Sequence, residues 1–233
     1  MPTTFRVPYI TAWSGEFMEH PLGFAWADEA AGLRLAYSDP QPQDWMFGVL
    51  WARQGLAACG RPEWKLVNTF RQRRCMLHRL CQVCGASAVD QLTGRTWWVL
   101  ADEPHESSET AGYTNAPPTC LPCIPGALTA CPRLRRGAAV YTVGDIEPYG
   151  VVADLFTPTR AGEAIHVQRS VTVTFEEFRR LEKALAKQLL VVLDDVVPFP
   201  GVPTVPGRGL SSPNADPSEG RGAERASLLS LNT

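Results

Sequence analysis

What this chain lacks narrows its function more than its bulk composition does. No stretch of 18 apolar residues occurs, so no helix is expected to span a membrane. Met1 to Glu16 has no basic start followed by an apolar run, so no secretory signal is read there and a cytoplasmic location is expected. Lysine is nearly missing. Only Lys65, Lys183 and Lys187 occur, and arginine supplies the other positive charges. Together with its richness in Ala, Gly and Pro, this bias points to a GC-rich bacterial gene. The formal net charge of −2 gives no global attraction to nucleic acid or anionic lipid. No Gly-rich phosphate loop, G-x-S-x-G elbow or H-E-x-x-H pair is present, which removes the commonest signatures of nucleotide binding, acyl transfer and metalloproteolysis. Glu176-Glu177 and Asp194-Asp195 read as capping and helix-end acids, and Gly144-Asp145-Ile146-Glu147 reads as a turn.

What is present is cysteine in pairs. Cys81-Gln82-Val83-Cys84 and Cys120-Leu121-Pro122-Cys123 flank a 35-residue insert. Each C-x-x-C pair forms a tight knuckle that aims two sulfurs at one point, and two such pairs supply the four soft ligands of a tetrahedral metal site. Gly85 suits the left-handed turn that brings backbone amides toward the sulfurs. Structural zinc is the expected occupant, with iron as the alternative. Paired thiols without an export signal fit a reducing compartment and a metal better than disulfides. Cys59, Cys75 and Cys131 are left over and read as small buried hydrophobes.

Periodicity gives an α+β fold in four stretches. Residues 1–67 are a β-rich part, in which 22–37 alternate as a hairpin turning at Asp28-Glu29-Ala30-Ala31-Gly32, while 45–53 are apolar and fit helix or strand equally. Residues 68–136 are the zinc-binding module. A helix over 68–80 is capped by Asn68 or Thr69, with Phe70, Leu77 and Leu80 on one side. Thr96–Leu100 form a strand, and a second helix follows Cys123, started by Pro125 and ended by Pro132. Residues 137–197 carry three strands, Ala139–Val143, Gly150–Phe156 and Ile165–Val173. A capping box at Thr174–Glu177 then opens a long amphipathic helix with Phe178, Leu181, Leu185, Leu189 and Val192 on its apolar stripe. Residues 198–233, rich in Pro and Gly, are expected to be a disordered tail.

The segment from Arg71 to Arg136 resembles the treble-clef module of HNH endonucleases. The resemblance rests on Arg71-Gln72-Arg73-Arg74, the Cys81–Gly85 knuckle, Val89-Asp90-Gln91, Asn115 and Cys120-Leu121-Pro122-Cys123-Ile124. It implies a zinc-stabilised ββα fold, a general-base histidine on the strand and a metal-ligating histidine on the helix. Those two positions hold Gln91 and Ile124 here. A carboxamide takes no proton near neutral pH and an aliphatic chain ligates no cation, so nuclease chemistry is not expected. His78 and His105 are the only histidines near enough in sequence to replace them. A weaker resemblance, to rubredoxin-like four-cysteine sites, implies iron and electron transfer. It is offset by the long insert and by Pro122 standing one place late.

Arginines gather around the module: Arg71, Arg73, Arg74 and Arg79 before it, Arg133, Arg135 and Arg136 after it. If they share a face, that face can contact phosphates, and Trp97-Trp98 can offer a ring for base stacking. The expectation is a non-catalytic, zinc-stabilised cytoplasmic protein that binds a macromolecular partner, protein or nucleic acid. The alternatives are an enzyme with a pocket between the zinc module and the β parts, or an iron electron carrier.

Overall fold

The computed structural model describes residues 7–26, 32–101 and 112–200. The expected turn at Asp28–Ala31, His105 with its acidic loop and the tail beyond Pro200 lie outside them. The N-terminal stretch holds β1 (Thr11–Trp13), β2 (Leu22–Trp26), β3 (Leu33–Tyr37), β4 (Trp45–Met46), β5 (Val49–Trp51) and β6 (Pro62–Val67). The cysteine region adds α1 (Thr69–Leu77), β7 (Thr96–Ala101), β8 (Tyr113–Thr114) and α2 (Ile124–Ala130). The remainder is β9 (Ala138–Pro158), β10 (Ala164–Thr174), the single-turn α3 (Phe178–Leu181) and β11 (Ala184–Pro198).

The fold is α+β and centres on a seven-stranded sheet ordered β10-β9-β11-β5-β4, with β7 added to β9 and β8 to β11. The strands of this one sheet come from all three stretches, 1–67, 68–136 and 137–197. The pairs β2-β3 and β1-β6 stand outside it. The expected hairpin at 22–37 is present, with Leu22 opposite Tyr37 and Trp26 opposite Leu33. Residues 45–51, ambiguous by pattern, form a tight hairpin. Phe47 and Gly48 both have positive φ (55° and 73°), as a two-residue type I′ turn requires.

Two expectations are corrected in the C-terminal part. The long helix after Thr174 is one turn, α3, followed by the 15-residue strand β11. Thr174 N–H does donate to Glu177 Oε2 at 2.8 Å, as a capping box begins. The turn it starts stops because β11 is the central strand, antiparallel to β9 and β8 and parallel to β5. A strand buried on both faces reads as a continuous apolar run, and Leu189, Leu190 and Val191 are all buried. Phe178, first on the supposed stripe, is 73% exposed. Likewise Gly144–Glu147 is not a turn. It lies within the 21-residue β9, with Ile146 opposite Leu193 and Asp145 opposite Asp194.

α1 begins where expected, with the Asn68 side chain accepting from Arg71 N–H. The face it buries differs: Gln72, Cys75 and Met76 point inward, while Phe70 is exposed. Gln72 explains why. Its Oε1 accepts from Leu189 N–H (2.9 Å) and its Nε2 donates to Leu189 C=O (3.0 Å) and Asn115 C=O (2.9 Å). On this edge β11 pairs with β5 at Leu185 and Ala186 and with β8 at Val191 and Val192. The Gln72 amide acts as a substitute peptide between those two stretches, satisfying backbone groups that would otherwise be buried unpaired. Trp98 and Met76 fill the main core below, with Val151, Leu181 and Leu189.

Glu16 is the second polar clasp. It is fully buried and accepts from Trp13 N–H, Ala58 N–H, Asn68 Nδ2 and both terminal nitrogens of Arg71 (2.8 and 2.7 Å). Burial alone would raise its pKa. The hydrogen bonds from Arg71, Trp13 and Asn68 outweigh that and hold the carboxyl below its ordinary value. Glu16 therefore adds stability above the ordinary carboxylate range, and that stability is lost as pH falls through the lowered folded value. Glu16→Ala should cost about 3–5 kcal/mol in urea unfolding at pH 7, because it strands the buried Arg71 guanidinium. The difference between Glu16→Ala and wild type should shrink in acid.

Candidate metal centre

The first cysteine pair is held by its own backbone. Cys81 N–H donates to Ala86 C=O (2.7 Å), Gly85 N–H donates to Cys81 C=O (2.8 Å), and Val83 N–H approaches Cys81 Sγ at 3.4 Å. Gly85 is required here. Its φ is +76°, and a Cβ would come within 3.1 Å of the Tyr9 ring. The N-terminal segment lies on the same loop, with Tyr9 N–H bonded to Val83 C=O and Ile10 N–H to Gln82 C=O.

Protein hydrogen bonds bring the second pair to the first. Gln82 N–H donates to Pro118 C=O (2.8 Å), and its side-chain amide donates to Pro117 C=O (2.8 Å) and Thr119 Oγ1 (2.9 Å). Thr119 N–H bonds to Trp97 C=O, and Trp97 N–H to Ala88 C=O, so β7 is the rail between the pairs. The second pair sits in a 3-10 turn that runs into α2. Pro125 lies in its first turn and Pro132 follows its extended C-cap Cys131, as expected. Ile124 is fully buried against Trp97, Val99, Ala138 and Val140, anchoring the start of that helix.

The result is one cluster. The sulfurs of Cys81, Cys84, Cys120 and Cys123 all lie within 4.8 Å of one another, and Cys84 Sγ is 3.6 Å from Cys120 Sγ. A tetrahedral ion with metal–sulfur bonds of about 2.3 Å has sulfur–sulfur edges of about 3.8 Å, so the cluster fits one ion. Cys81 and Cys120 are buried, and Cys84 and Cys123 are half-buried. The thiols differ in acidity. Burial pushes Cys120 well up, with hydrogen bonds that its thiol donates to Cys123 and Cys81 adding to it, and burial pushes Cys123 up to about 11. Burial also opposes the charge on Cys84, but the Ala86 amide and the three neighbouring cysteines outweigh it and lower its pKa. A cation that takes all four as thiolates must therefore displace protons, and acid must weaken its hold.

The other thiols stay outside. Cys75 is fully buried beside the cluster, 3.9 Å from Cys81 C=O, and burial raises it to about 12. Cys131 is half-buried. Cys59 is exposed, contrary to its reading as a core residue. The positions matched to the HNH pattern serve structure. Asp90 Oδ1 accepts from Leu92 N–H, Thr93 N–H and Thr93 Oγ1, closing the turn that carries Gln91. Asn115 is tied to Gln188 and Gln72.

The arginines divide. Arg71 is buried on Glu16, Arg79 pairs with Asp145 at 2.6 Å, and Arg73 lies over the Trp51 ring. Arg74 is exposed and donates to the Tyr9 hydroxyl, and Arg133, Arg135 and Arg136 are exposed. Neither Trp97 nor Trp98 is available for stacking on a base. Trp98 faces the main core and Trp97 packs with Ile124 and Phe199. An open cavity of about 400 Å³ does lie between the N-terminal β part and the cysteine module, lined by Tyr9, Trp13, Leu56, Phe70, Arg71, Arg74 and Val83 among others. Its described lining residues include no histidine, cysteine or carboxylate.

No family model, no curated protein and no solved structure matches this chain.

Elemental analysis of protein purified without oxygen should find one metal equivalent per chain. Cys84→Ser should lower that occupancy and the melting temperature together, because the binding energy of such a site is also folding energy. Titration toward acid should release the metal to a chromogenic chelator before the chain unfolds. Metal-free protein with an unchanged melting curve would contradict the site.

Proposed function

We propose that this is a non-catalytic, zinc-stabilised cytoplasmic protein whose role is to bind a macromolecular partner, and that the partner is a protein. One observation carries the reading: the four sulfurs lie within 4.8 Å of one another, so an ion held by all four would keep no ligand position for water or substrate. A four-thiolate zinc of this kind is structural rather than catalytic. The knuckle, the short Val89–Thr96 bridge and a second pair at the start of a helix follow in treble-clef order. The described cysteines are all free thiols, in keeping with a reducing compartment.

A protein partner is favoured over nucleic acid by two further features. Arg71 and Arg79 have their charge balanced internally, which thins the expected basic face. The ladder β1-β6 presents Trp64 and Leu66, two residues apart on one side of β6 and 55% and 48% exposed. Among the described residues the outer edge of β6 has no pairing strand. An open edge with apolar side chains is what a partner strand or apolar patch recognises.

The test uses the native host. Leu66→Lys with Trp64→Lys should abolish co-purification of a stoichiometric protein while leaving metal content and melting temperature within error of wild type. Purified protein should not cleave plasmid with magnesium or manganese. Its affinity for duplex DNA should be weak, with a logarithmic salt slope no steeper than about −3, the mark of three or fewer phosphate contacts. A slope near −6, lost on changing Arg74, Arg133 and Arg135 together, would make nucleic acid the partner instead.

A further inference from the structure

Arg73 carries a charge that no carboxylate among the described residues balances. The other two arginines held against the protein interior nearby are matched: Arg71 on Glu16, and Arg53 on Asp44 through two bonds of 2.8 and 2.6 Å and on Asp39 at 2.9 Å. Arg73 has no carboxylate partner among the described residues. Its guanidinium lies 4.3 Å over the Trp51 ring and 6.0 Å from that of Phe70, and its Nη1 is shut off from water without a hydrogen bond. Burial lowers its pKa and no acid opposes the shift. Stacking on an indole attracts a guanidinium but does not neutralise it.

A second unpartnered nitrogen belongs to a residue that lines the same cavity. His20 Nε2 is also buried without a hydrogen bond, its ring set edge-on to Tyr37 at 5.5 Å. His20 and Arg73 both line a cavity of about 300 Å³ whose apolar walls are Met18, Trp51 and Phe70. Asp44 also borders it but is already committed, accepting from Arg53 and from Gln41 N–H. Asp39 and Asp44 are both taken up by Arg53, so Arg73 is the cation on the cavity that has no carboxylate of its own among the described residues.

We infer that this cavity binds a small carboxylate carrying a flat apolar body, with the carboxylate on Arg73 and His20 and the body against Phe70 and Met18. The planar guanidinium fork matches a carboxylate geometrically, and the aromatic surroundings that shield Arg73 from water strengthen the pairing. The volume is at the small end for ligand sites and suits a single ring with a short acidic arm. The inference stands apart from the partner reading, since the cavity uses neither the thiols nor the β6 edge.

The experiment follows the Trp51 indole N–H signal of the metal-loaded protein by two-dimensional NMR, assigned with Trp51→Phe. That N–H donates to Met46 C=O at 3.0 Å, so it reports on one fixed ring. Benzoate should shift it saturably, with half-saturation at or below the millimolar range, whereas benzyl alcohol and inorganic phosphate should not. Arg73→Met keeps the apolar stem that packs on Trp51 and should weaken benzoate at least tenfold. His20→Asn should weaken it several-fold. Arg73→Lys, which keeps the charge and serves if Arg73→Met does not fold, should lose part of the affinity with the fork. No saturable shift with benzoate, an equal response to benzyl alcohol, or variants that bind as wild type does would each overturn the site.

Discussion

The constraint on which the rest of the structure depends is closure of the insert between Cys84 and Cys120. Its ends must meet within a few ångströms, and closing a loop of this length has an entropic cost that grows only slowly with its size. The fold meets most of that cost with ordinary interactions. β7 zips along β9, Thr119 hangs from β7, and Gln82 reaches across to Pro117, Pro118 and Thr119. The two pairs of sulfurs are thus delivered to one place by protein contacts. A bound cation would then compensate the charge of four close thiolates and lock the closure. On this division of labour the metal would be a clip on a sheet rather than the sole organiser of a small domain.

Two buried polar clasps extend the order outward from that clip. α1 runs into the first knuckle, and its inner face carries both: Arg71 holds Glu16 of the N-terminal segment, and Gln72 completes the edge of β11. An apolar helix could pack in either place in more than one register. A carboxylate with five donors, or an amide fitted to one peptide, accepts a single arrangement, because any slip leaves buried groups unsatisfied. Tyr9 and Ile10 on the knuckle backbone complete the circuit from N-terminus to metal site.

Local chemistry was legible in the sequence, and long-range burial was not. The cysteine cluster could be read because ligand spacing within each knuckle is set over four residues. The 22–37 hairpin could be read because strict alternation has one interpretation. β11 could not. Leu185, Leu189 and Val192 fit a helical stripe, and the run fits equally well a strand covered on both faces. Pairing with three other strands decided the matter. Gly144 and Asp145 carry turn chemistry, yet they are enclosed in β9 because β11 continues past them. Glu16 and Arg71 lie 55 positions apart, so nothing local marks either as a buried partner. For the same reason Arg73 read as part of a basic face, when its surroundings are Trp51, Phe70 and His20.

The account stands or falls on the metal and its ligands. X-ray absorption at the metal edge of protein purified without oxygen reads both at once. The account predicts a zinc edge and a single shell of four sulfurs at about 2.3 Å, with no oxygen or nitrogen neighbour. An iron edge with the same shell would make the protein an electron carrier. A zinc shell containing oxygen or nitrogen would mean an open coordination position and contradict the closed, non-catalytic site.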